Sequence, residues 1–206
     1  MSRIKSFGTD ALSLQLELSN EDQIERAVAD TLAAFGRLDI VVNNAAVSIR
    51  GAALEYDARD WDRVFATNVR GVFLMSRAAA RVMRQARFGR IVNLSSPFAH
   101  VGLPNRAAYA ASKAAVEQLT RSLAVEWASH EITVNAVAPT TVITETRAEL
   151  LRDDAVVRDR IAQIPLGRLG LAEDVVGATL LLCGPGGSFI TGQTVLVDGG
   201  YSVMRA

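Results

Sequence analysis

Short apolar segments of strand type alternate with longer segments of helix type along most of this chain. The strand-type segments are LSLQLEL (12–18), LDIVVNNAA (38–46), RIVNLSS (90–96), ITVNAVAP (132–139) and QTVLVDGG (193–200). Helix-type apolar spacing covers roughly 19–36, 60–87, 105–129 and 173–182. A helix that connects two parallel strands has to pack back onto their sheet. The alternation therefore predicts an α/β fold, with a doubly wound, mainly parallel sheet flanked by helices.

The chain has the size and the apolar content of one domain. Its 206 residues are 50% hydrophobic, which is enough for a single substantial core. Because no repeat or linker-like stretch divides it, we predict one domain spanning 1–206. The 22 basic and 22 acidic residues balance, which argues against a nucleic-acid partner and against attraction to an anionic membrane surface. We expect a small molecule, or another copy of the chain, as the partner.

The rare residue types indicate a cytoplasmic protein without a metal site. Cys183 is the only cysteine, which excludes an internal disulfide. His100 and His130 are the only histidines, and their separation does not indicate a cluster of metal ligands. The first residues contain no apolar signal core, and no apolar run approaches the roughly 18 residues that a membrane span needs.

Polar or conformationally special residues follow three of the predicted strands. They are Asn43 with Asn44, Ser95 with Ser96, and the stretch 139–144. Ligands of a doubly wound sheet bind at the carboxyl ends of its strands. Each set taken alone is explained by turns and caps, so only their arrival at one edge of the sheet favours a binding site.

The segment YAASK places Tyr109 and Lys113 four residues apart, in a chain that has only two lysines. On a helix these two residues lie on one face. A free tyrosine has a pKa of about 10 and is a poor base at neutral pH, but a nearby ammonium stabilises its phenolate. Tyr109 would then exchange a proton with an alcohol or carbonyl oxygen, and Ser96 would hydrogen-bond the same oxygen. Such a site suits carbonyl/alcohol interconversion, with a nicotinamide cofactor carrying the hydride.

The chain resembles the short-chain dehydrogenase/reductase family over nearly its whole length. The motifs LDIVVNNAA, TNV, IVNLSS, YAASK, ITVNAVAP and TGQTVLVDGG occur in the family's order. The resemblance implies a Rossmann-like fold in which Tyr109 is the catalytic acid or base, Lys113 supports it and holds the nicotinamide ribose, and Ser96 orients the substrate. Asn68 matches the asparagine that organises a proton-relay water, and a buried amide at a helix kink is its alternative interpretation.

The resemblance also implies a binding surface for NAD or NADP. Asn44, Ala45 and Ala46 would lie under the adenosine half, whereas Val142 and Thr144 would contact the nicotinamide end. The implied cofactor-binding residues are Glu17, Leu18, Asn44, Ala45, Ala46, Tyr109, Lys113, Pro139, Val142 and Thr144.

The sequence departs from the family's pattern at its start. The strand and the TGxxxGxG turn that hold the cofactor pyrophosphate in the family have no counterpart here. We therefore expect an N-terminally truncated domain, which leaves the choice between NAD and NADP open. The strand LDIVVNN would then have an unpaired edge. We expect LSLQLEL either to pair beside LDIVVNN or to be poorly ordered.

Two interpretations of the function remain open. The first is an oxidoreductase acting on a small carbonyl or alcohol substrate, and the second is a non-catalytic remnant that serves as a partner in oligomers. A serine hydrolase is excluded because no GxSxG elbow surrounds Ser96 and neither histidine has an evident role as its base. The resemblance further implies a homodimer or homotetramer. In 141–164, apolar residues stand among charged ones, which is typical of a mobile lid that shapes the pocket.

Overall fold

The computed structural model describes residues 4, 6–144 and 154–205, and its described strands form one parallel sheet. The order across the sheet is β1-β2-β3-β4, which is also the order along the chain. The strands are β1 (Ile40–Asn43), β2 (Gly89–Leu94), β3 (Ile132–Pro139) and β4 (Thr194–Val197). In register, Asn43 pairs with Asn93, Leu94 with Val137, and Pro139 with Val197. The predicted parallel α/β sheet is confirmed.

Six described α-helices of eight residues or more accompany the strands. They are α1 (Glu21–Phe35), α2 (Ala58–Phe65), α3 (Val72–Ala86), α4 (Ala107–Trp127), α5 (Asp154–Ile161) and α6 (Ala172–Cys183). Helix α1 begins after Asn20, whose side chain accepts a hydrogen bond from Gln23 N, and it ends at Gly36, which has a φ of 73°. Among the described residues, no helix combines the length and the apolar character needed to cross a membrane.

Both faces of the sheet carry helices, because the strand side chains alternate in direction. On one face, Ile91 and Val134 pack in a buried cluster with Met83 of α3 and Leu123 of α4. On the other face, Val92 and Val137 pack against Leu182 of α6. Helix α1 lies outside α3, where Ile24 and Val28 meet Leu74 and Ala78.

The segment LSLQLEL was predicted as a strand, and that prediction is wrong. Residues 12–18 contain no strand and form no ladder with β1. Leu16 and Leu18 instead pack against the cluster between α1 and α3, and the N–H of Glu17 donates to Gln23 Oε1 at 2.8 Å. Packing against helices, together with a side-chain acceptor for the backbone, replaces the sheet pairing.

The long helix predicted over 60–87 is interrupted in the structure. A π-helical segment, Ala66–Gly71, separates α2 from α3. Helix α3 ends at Ala86, within one residue of the predicted end, and Arg87 caps it with a left-handed φ of 47°. Gly89 is the first residue of β2, and a Cβ there would lie 2.6 Å from the sulfur of Met83. This glycine therefore allows close packing of α3 on the sheet.

Candidate active site

A small cleft at the carboxyl edge of the sheet contains two of the predicted catalytic residues. Its volume is about 130 Å³. Ser96 enters it from the turn after β2, Tyr109 from the first turn of α4, and Pro139 from the end of β3. The complete lining is Ser48, Arg50, Ser96, Phe98, Arg106, Tyr109, Pro139, Thr140, Thr141 and Arg160.

Lys113 lies one helical turn beyond Tyr109, and its side chain is almost completely removed from solvent. The residue is 3% exposed, and Nζ donates a hydrogen bond to the carbonyl oxygen of Leu94 at 2.5 Å. The same Nζ lies 5.7 Å from the centre of the Tyr109 ring. Burial lowers the pKa of the Lys113 ammonium to about 8, because water no longer stabilises its charge.

The adjacent serines Ser95 and Ser96 have different surroundings. Ser95 Oγ donates to the carboxylate of Glu117 at 2.8 Å, and that carboxylate also lies 3.1 Å from His100 Nε2. Ser96 Oγ accepts a hydrogen bond from the N–H of Phe98 at 3.3 Å and faces the cleft. Only Ser96 is therefore placed to meet a ligand beside Tyr109. His100 contacts Glu117, and neither residue lines the cleft.

Asn68 connects the loop after β1 to the helix that carries Tyr109. It is 1% exposed and lies in the π-helical segment. Its side chain bonds both backbone groups of Val47, at 2.8 and 2.9 Å, and donates to Ser112 Oγ at 3.0 Å. Ser112 Oγ in turn donates to the carbonyl oxygen of Tyr109 at 2.7 Å. A π-helical turn of this kind is frequent at functional sites.

The expected cofactor-binding residues that precede α2 divide between a second cleft and the surface. Glu17, Leu18, Ala45 and Ala46 line one cleft of about 430 Å³ between the segment before α1 and the end of β1. Asn44 follows β1 directly and is exposed.

The expected cofactor-binding residues at the end of β3 and after it are also separated from one another. Pro139 lines the Tyr109 cleft. Val142 lines a third cleft, with Gly199 and Gly200, and forms a β-bridge with Gly170. Thr144 is exposed and is the last described residue before 154. The predicted lid at 141–164 lies partly outside the described residues, which resume with α5.

Several polar residues around the cleft had no role in the sequence prediction. Arg106 lies three residues before Tyr109, and its guanidinium carbon is 6.0 Å from the centre of the Tyr109 ring. Glu117 is buried one turn after Lys113. Helical spacing from Tyr109 and Lys113 was the available signal for both. Arg50 and Arg160 come from distant segments, and no local pattern indicates them.

A parallel sheet with helices on both faces and polar residues at its carboxyl edge is the Rossmann-type architecture. A family model described as enoyl-(acyl carrier protein) reductase matches residues 2–202. The chain belongs to the short-chain dehydrogenase/reductase family.

Relatives at 36–37% identity are named as dehydrogenases and reductases. The 2-dehydro-3-deoxy-D-gluconate 5-dehydrogenase of Escherichia coli (strain K12) is 37% identical over 202 residues, which are 98% of this chain and 80% of that protein. The 3-oxoacyl-(acyl-carrier-protein) reductase FabG of Staphylococcus aureus (strain Mu50) is 36% identical over 200 residues, covering 97% of this chain and 80% of that protein.

A solved structure shares the fold closely. It is a gluconate 5-dehydrogenase from Burkholderia cenocepacia J2315 in complex with NADP and tartrate, with a TM-score of 0.92 and 32% identity, and the match covers 98% of this chain and 79% of that one. By resemblance, the present chain is an enzyme of the NAD(P)-dependent oxidoreductase class. These comparisons give no support to the alternative of a non-catalytic subunit.

Proposed function

We propose that this protein interconverts a ketone and a secondary alcohol with NAD or NADP, and that Ser96, Tyr109, Lys113 and Asn68 form its catalytic site. The observation that carries the proposal is the buried Lys113 ammonium beside the Tyr109 ring, with Ser96 in the same cleft as Tyr109. We further propose that the chain is a single domain and acts in the cytoplasm as a homodimer or homotetramer.

The protein's own residues handle the proton. During alcohol oxidation, the Tyr109 phenolate accepts the hydroxyl proton, and during reduction the phenol returns it to the carbonyl oxygen. Ser96 Oγ donates a hydrogen bond to that oxygen and holds it beside Tyr109. Lys113 stabilises the phenolate by its charge. Asn68 positions the first turn of α4 through Ser112, whose hydroxyl bonds the Tyr109 carbonyl.

The residues present fit a nicotinamide cofactor, which supplies or accepts the hydride when it is bound. An ammonium has three N–H donors, and within the described part of the chain the carbonyl of Leu94 accepts one of them from Lys113. Ribose hydroxyls are suitable acceptors for the others. The cleft formed by Glu17, Leu18, Ala45 and Ala46 would receive the adenosine half.

The test combines cofactor binding with turnover of a panel of secondary alcohols and ketones. We expect reduced-cofactor fluorescence to reveal binding of NADH or NADPH. Replacement of Tyr109 by Phe should lower kcat by roughly 100- to 10,000-fold, as loss of a general acid or base does, and leave the cofactor Kd within about twofold. Lys113→Ala should weaken cofactor binding as well as turnover.

Two matched variants provide the controls. Tyr56→Phe removes a hydroxyl that donates to the Ile49 carbonyl at 3.2 Å, outside the cleft, and should keep nearly full turnover. Ser95→Ala should affect stability more than kcat, whereas Ser96→Ala should lower kcat. A folded chain that binds neither cofactor and turns over no member of the panel would exclude the proposed function. Near-normal activity of Tyr109→Phe would remove Tyr109 from the mechanism.

A further inference from the structure

The side chain of Glu117 is a buried carboxylate that has no part in the proposed proton transfer. Glu117 is 3% exposed and lies one turn beyond Lys113 on α4. A buried carboxylate destabilises a fold unless its contacts offset the loss of hydration. Within the described part of the chain, its hydrogen-bond partners are Ser95 Oγ, at 2.8 Å, and His100 Nε2, at 3.1 Å. These two partners lie on either side of Ser96 in the sequence.

The two partners of Glu117 are the ends of the short segment that contains Ser96. At the first end, the N–H of Ser95 donates to the carbonyl of Val137 at 2.8 Å, so the sheet fixes this residue independently of Glu117. At the second end, the side chain of His100 is 42% exposed, and its contact with Glu117 joins it to α4. The contact with Glu117 therefore matters more for the His100 end than for the Ser95 end.

The turn between these two ends determines how the Ser96 hydroxyl is oriented. A single 3₁₀ turn, Pro97–Ala99, follows Ser96 directly. The N–H of Phe98 donates to Ser96 Oγ at 3.3 Å, and the N–H of Ala99 donates to the Ser96 carbonyl at 3.0 Å. A hydroxyl can donate its one hydrogen while it accepts at its lone pairs. Because Ser96 Oγ accepts from the turn, its own hydrogen can be donated to a ligand in the cleft.

We propose that Glu117 and His100 are positioning residues for Ser96. Their contact holds the turn after β2 against α4, and the turn keeps the Ser96 hydroxyl in the orientation that donates to the reacting oxygen. Tyr109 and Glu117 are about two helical turns apart on α4, so one helix aligns both the proton-exchanging group and the serine. This inference rests on the proposed oxidoreductase function, and neither Glu117 nor His100 lines the cleft.

The kinetic test compares variants of this contact in the presence and in the absence of the Ser96 hydroxyl. We expect Glu117→Met and His100→Ala each to lower kcat for ketone reduction by about 5- to 50-fold. Loss of a whole donor to the reacting oxygen costs more, roughly 100- to 1,000-fold. The KM for the cofactor should change by less than about twofold. In a Ser96→Ala background, the same two substitutions should change kcat by less than about twofold, because residues that act through one hydroxyl are not additive.

Melting temperatures and matched variants separate positioning from a general loss of structure. Glu117→Met should leave the melting temperature unchanged or higher, since an apolar side chain that replaces a buried carboxylate needs no hydration. His100→Gln keeps a side-chain N–H donor and should regain most of the kcat that His100→Ala loses. Glu126→Gln, on the exposed side of the same helix, should leave both quantities unchanged. If Glu117→Met does not fold, the half-exposed His100 still allows the same comparison.

Amide hydrogen exchange measures the turn itself and does not depend on turnover. The N–H groups of Ala99, His100 and Val101 donate to carbonyls within the segment at 2.9 to 3.1 Å. We expect these three amides to exchange about 10-fold faster or more in Glu117→Met and His100→Ala, because the local opening of the turn becomes easier. The N–H of Gly192, which donates to a carbonyl of β3 at 2.8 Å, should exchange at an unchanged rate.

The outcomes distinguish this inference from the proposed function. Unchanged kcat in both variants, or an equal loss of kcat with and without the Ser96 hydroxyl, would overturn the positioning role and leave the oxidoreductase function standing. Unchanged exchange in the turn would overturn it as well. If the wild type turns over no ketone or alcohol, the proposed function fails, and the exchange rates alone decide whether Glu117 and His100 hold the turn that carries Ser96.

Discussion

Lys113 lies in an environment very different from that of an ordinary surface lysine. Its ammonium is buried between the end of β2 and the Tyr109 ring, and it donates to the Leu94 carbonyl. Burial lowers its pKa to about 8, so the group is mostly charged at neutral pH and loses its charge in mildly alkaline solution. The fold therefore contains a cation in a place that disfavours charge, which is typical of functional residues.

Replacing Lys113 by Met should reveal, as a function of pH, how much the burial of its charge destabilises the protein. The unfolded chain, with a lysine pKa of about 10.4, binds more protons than the folded chain between that value and pH 8. The burial penalty is therefore full below about pH 8 and is relieved as the pH rises toward 10.5. We expect Lys113→Met to be more stable than the wild type at pH 7 by at most about 3 kcal/mol, with the difference shrinking as pH rises.

Denaturant unfolding monitored by circular dichroism at several pH values measures this difference. Lys113→Arg provides the control, because arginine keeps its charge throughout the range and its stability difference from Met should not shrink. If the difference in the free energy of unfolding between Lys113→Met and the wild type stayed constant from pH 7 to 10.5, the pKa of Lys113 would not be depressed.

Among the elements, the π-helical segment Ala66–Gly71 determines how the chain before α1 meets the body of the fold. Asn68 points toward the loop after β1 and toward α4. Gly71 is buried against the Leu18 backbone, where an added Cβ would lie 2.9 Å from the carbonyl oxygen of Leu18. This one short irregular element thus positions both Asn68, a proposed catalytic residue, and Leu18, which lines the cleft proposed for the adenosine half.

We expect Gly71→Ala to destabilise the protein by about 1–3 kcal/mol, because the new methyl group forces the Leu18 backbone away from the helix. Cofactor binding should weaken in parallel, since Leu18 lines the cleft proposed for the adenosine half. Thermal unfolding and the NADH or NADPH titration measure the two effects.

Gly177→Ala is the matched control for this substitution. Gly177 lies within α6, and an added Cβ has no atom within 4 Å. Alanine should stabilise this helix by roughly 0.5–1 kcal/mol through its higher helix propensity. Equal effects of the two substitutions on stability would mean that the contact with Leu18 does not determine the effect of Gly71→Ala.

In the assembled fold, β1 is an edge of the described sheet. Ile40 and Val42 are each 44% exposed, on the face opposite to the one that Val41 packs into the core. An exposed apolar edge strand offers unpaired backbone groups to another strand. Residues 12–18 contain no strand and form no ladder with this edge.

We expect the 206-residue chain to associate through this edge at high concentration. Val42→Lys should lower the average molecular mass that light scattering gives at each protein concentration, because a charge on an edge strand opposes strand pairing. The melting temperature should change little.

Leu54→Lys serves as the control, since Leu54 is fully exposed on the loop between β1 and α2 and belongs to no strand. If both lysine variants reduce association equally, general surface polarity is responsible and the β1 edge has no special part. If only Val42→Lys does so, the edge is the contact.

Local pattern was sufficient for much of the fold. Strand β3 was predicted with the bounds that the structure shows, and α1, α4 and α6 within about two residues, because buried strands and amphipathic helices have strong periodicity. The family resemblance, which the comparisons confirm, is also contained in the order of the motifs. LSLQLEL shows the limit of such inference, since its alternation suits a strand but its leucines pack on helices.

Local sequence determined which segments became helices and strands, and the spacing that puts Tyr109, Lys113 and Glu117 on one helix. Tertiary structure decided the rest. It separated Ser95 from Ser96, turned Asn68 toward Ser112 through a π-helical turn, and brought Arg50, Arg106 and Arg160 to one cleft. The physical reason is that backbone periodicity acts over a few residues. The burial of a side chain, the charge around it and its contacts with distant side chains depend on segments that meet only when the chain packs.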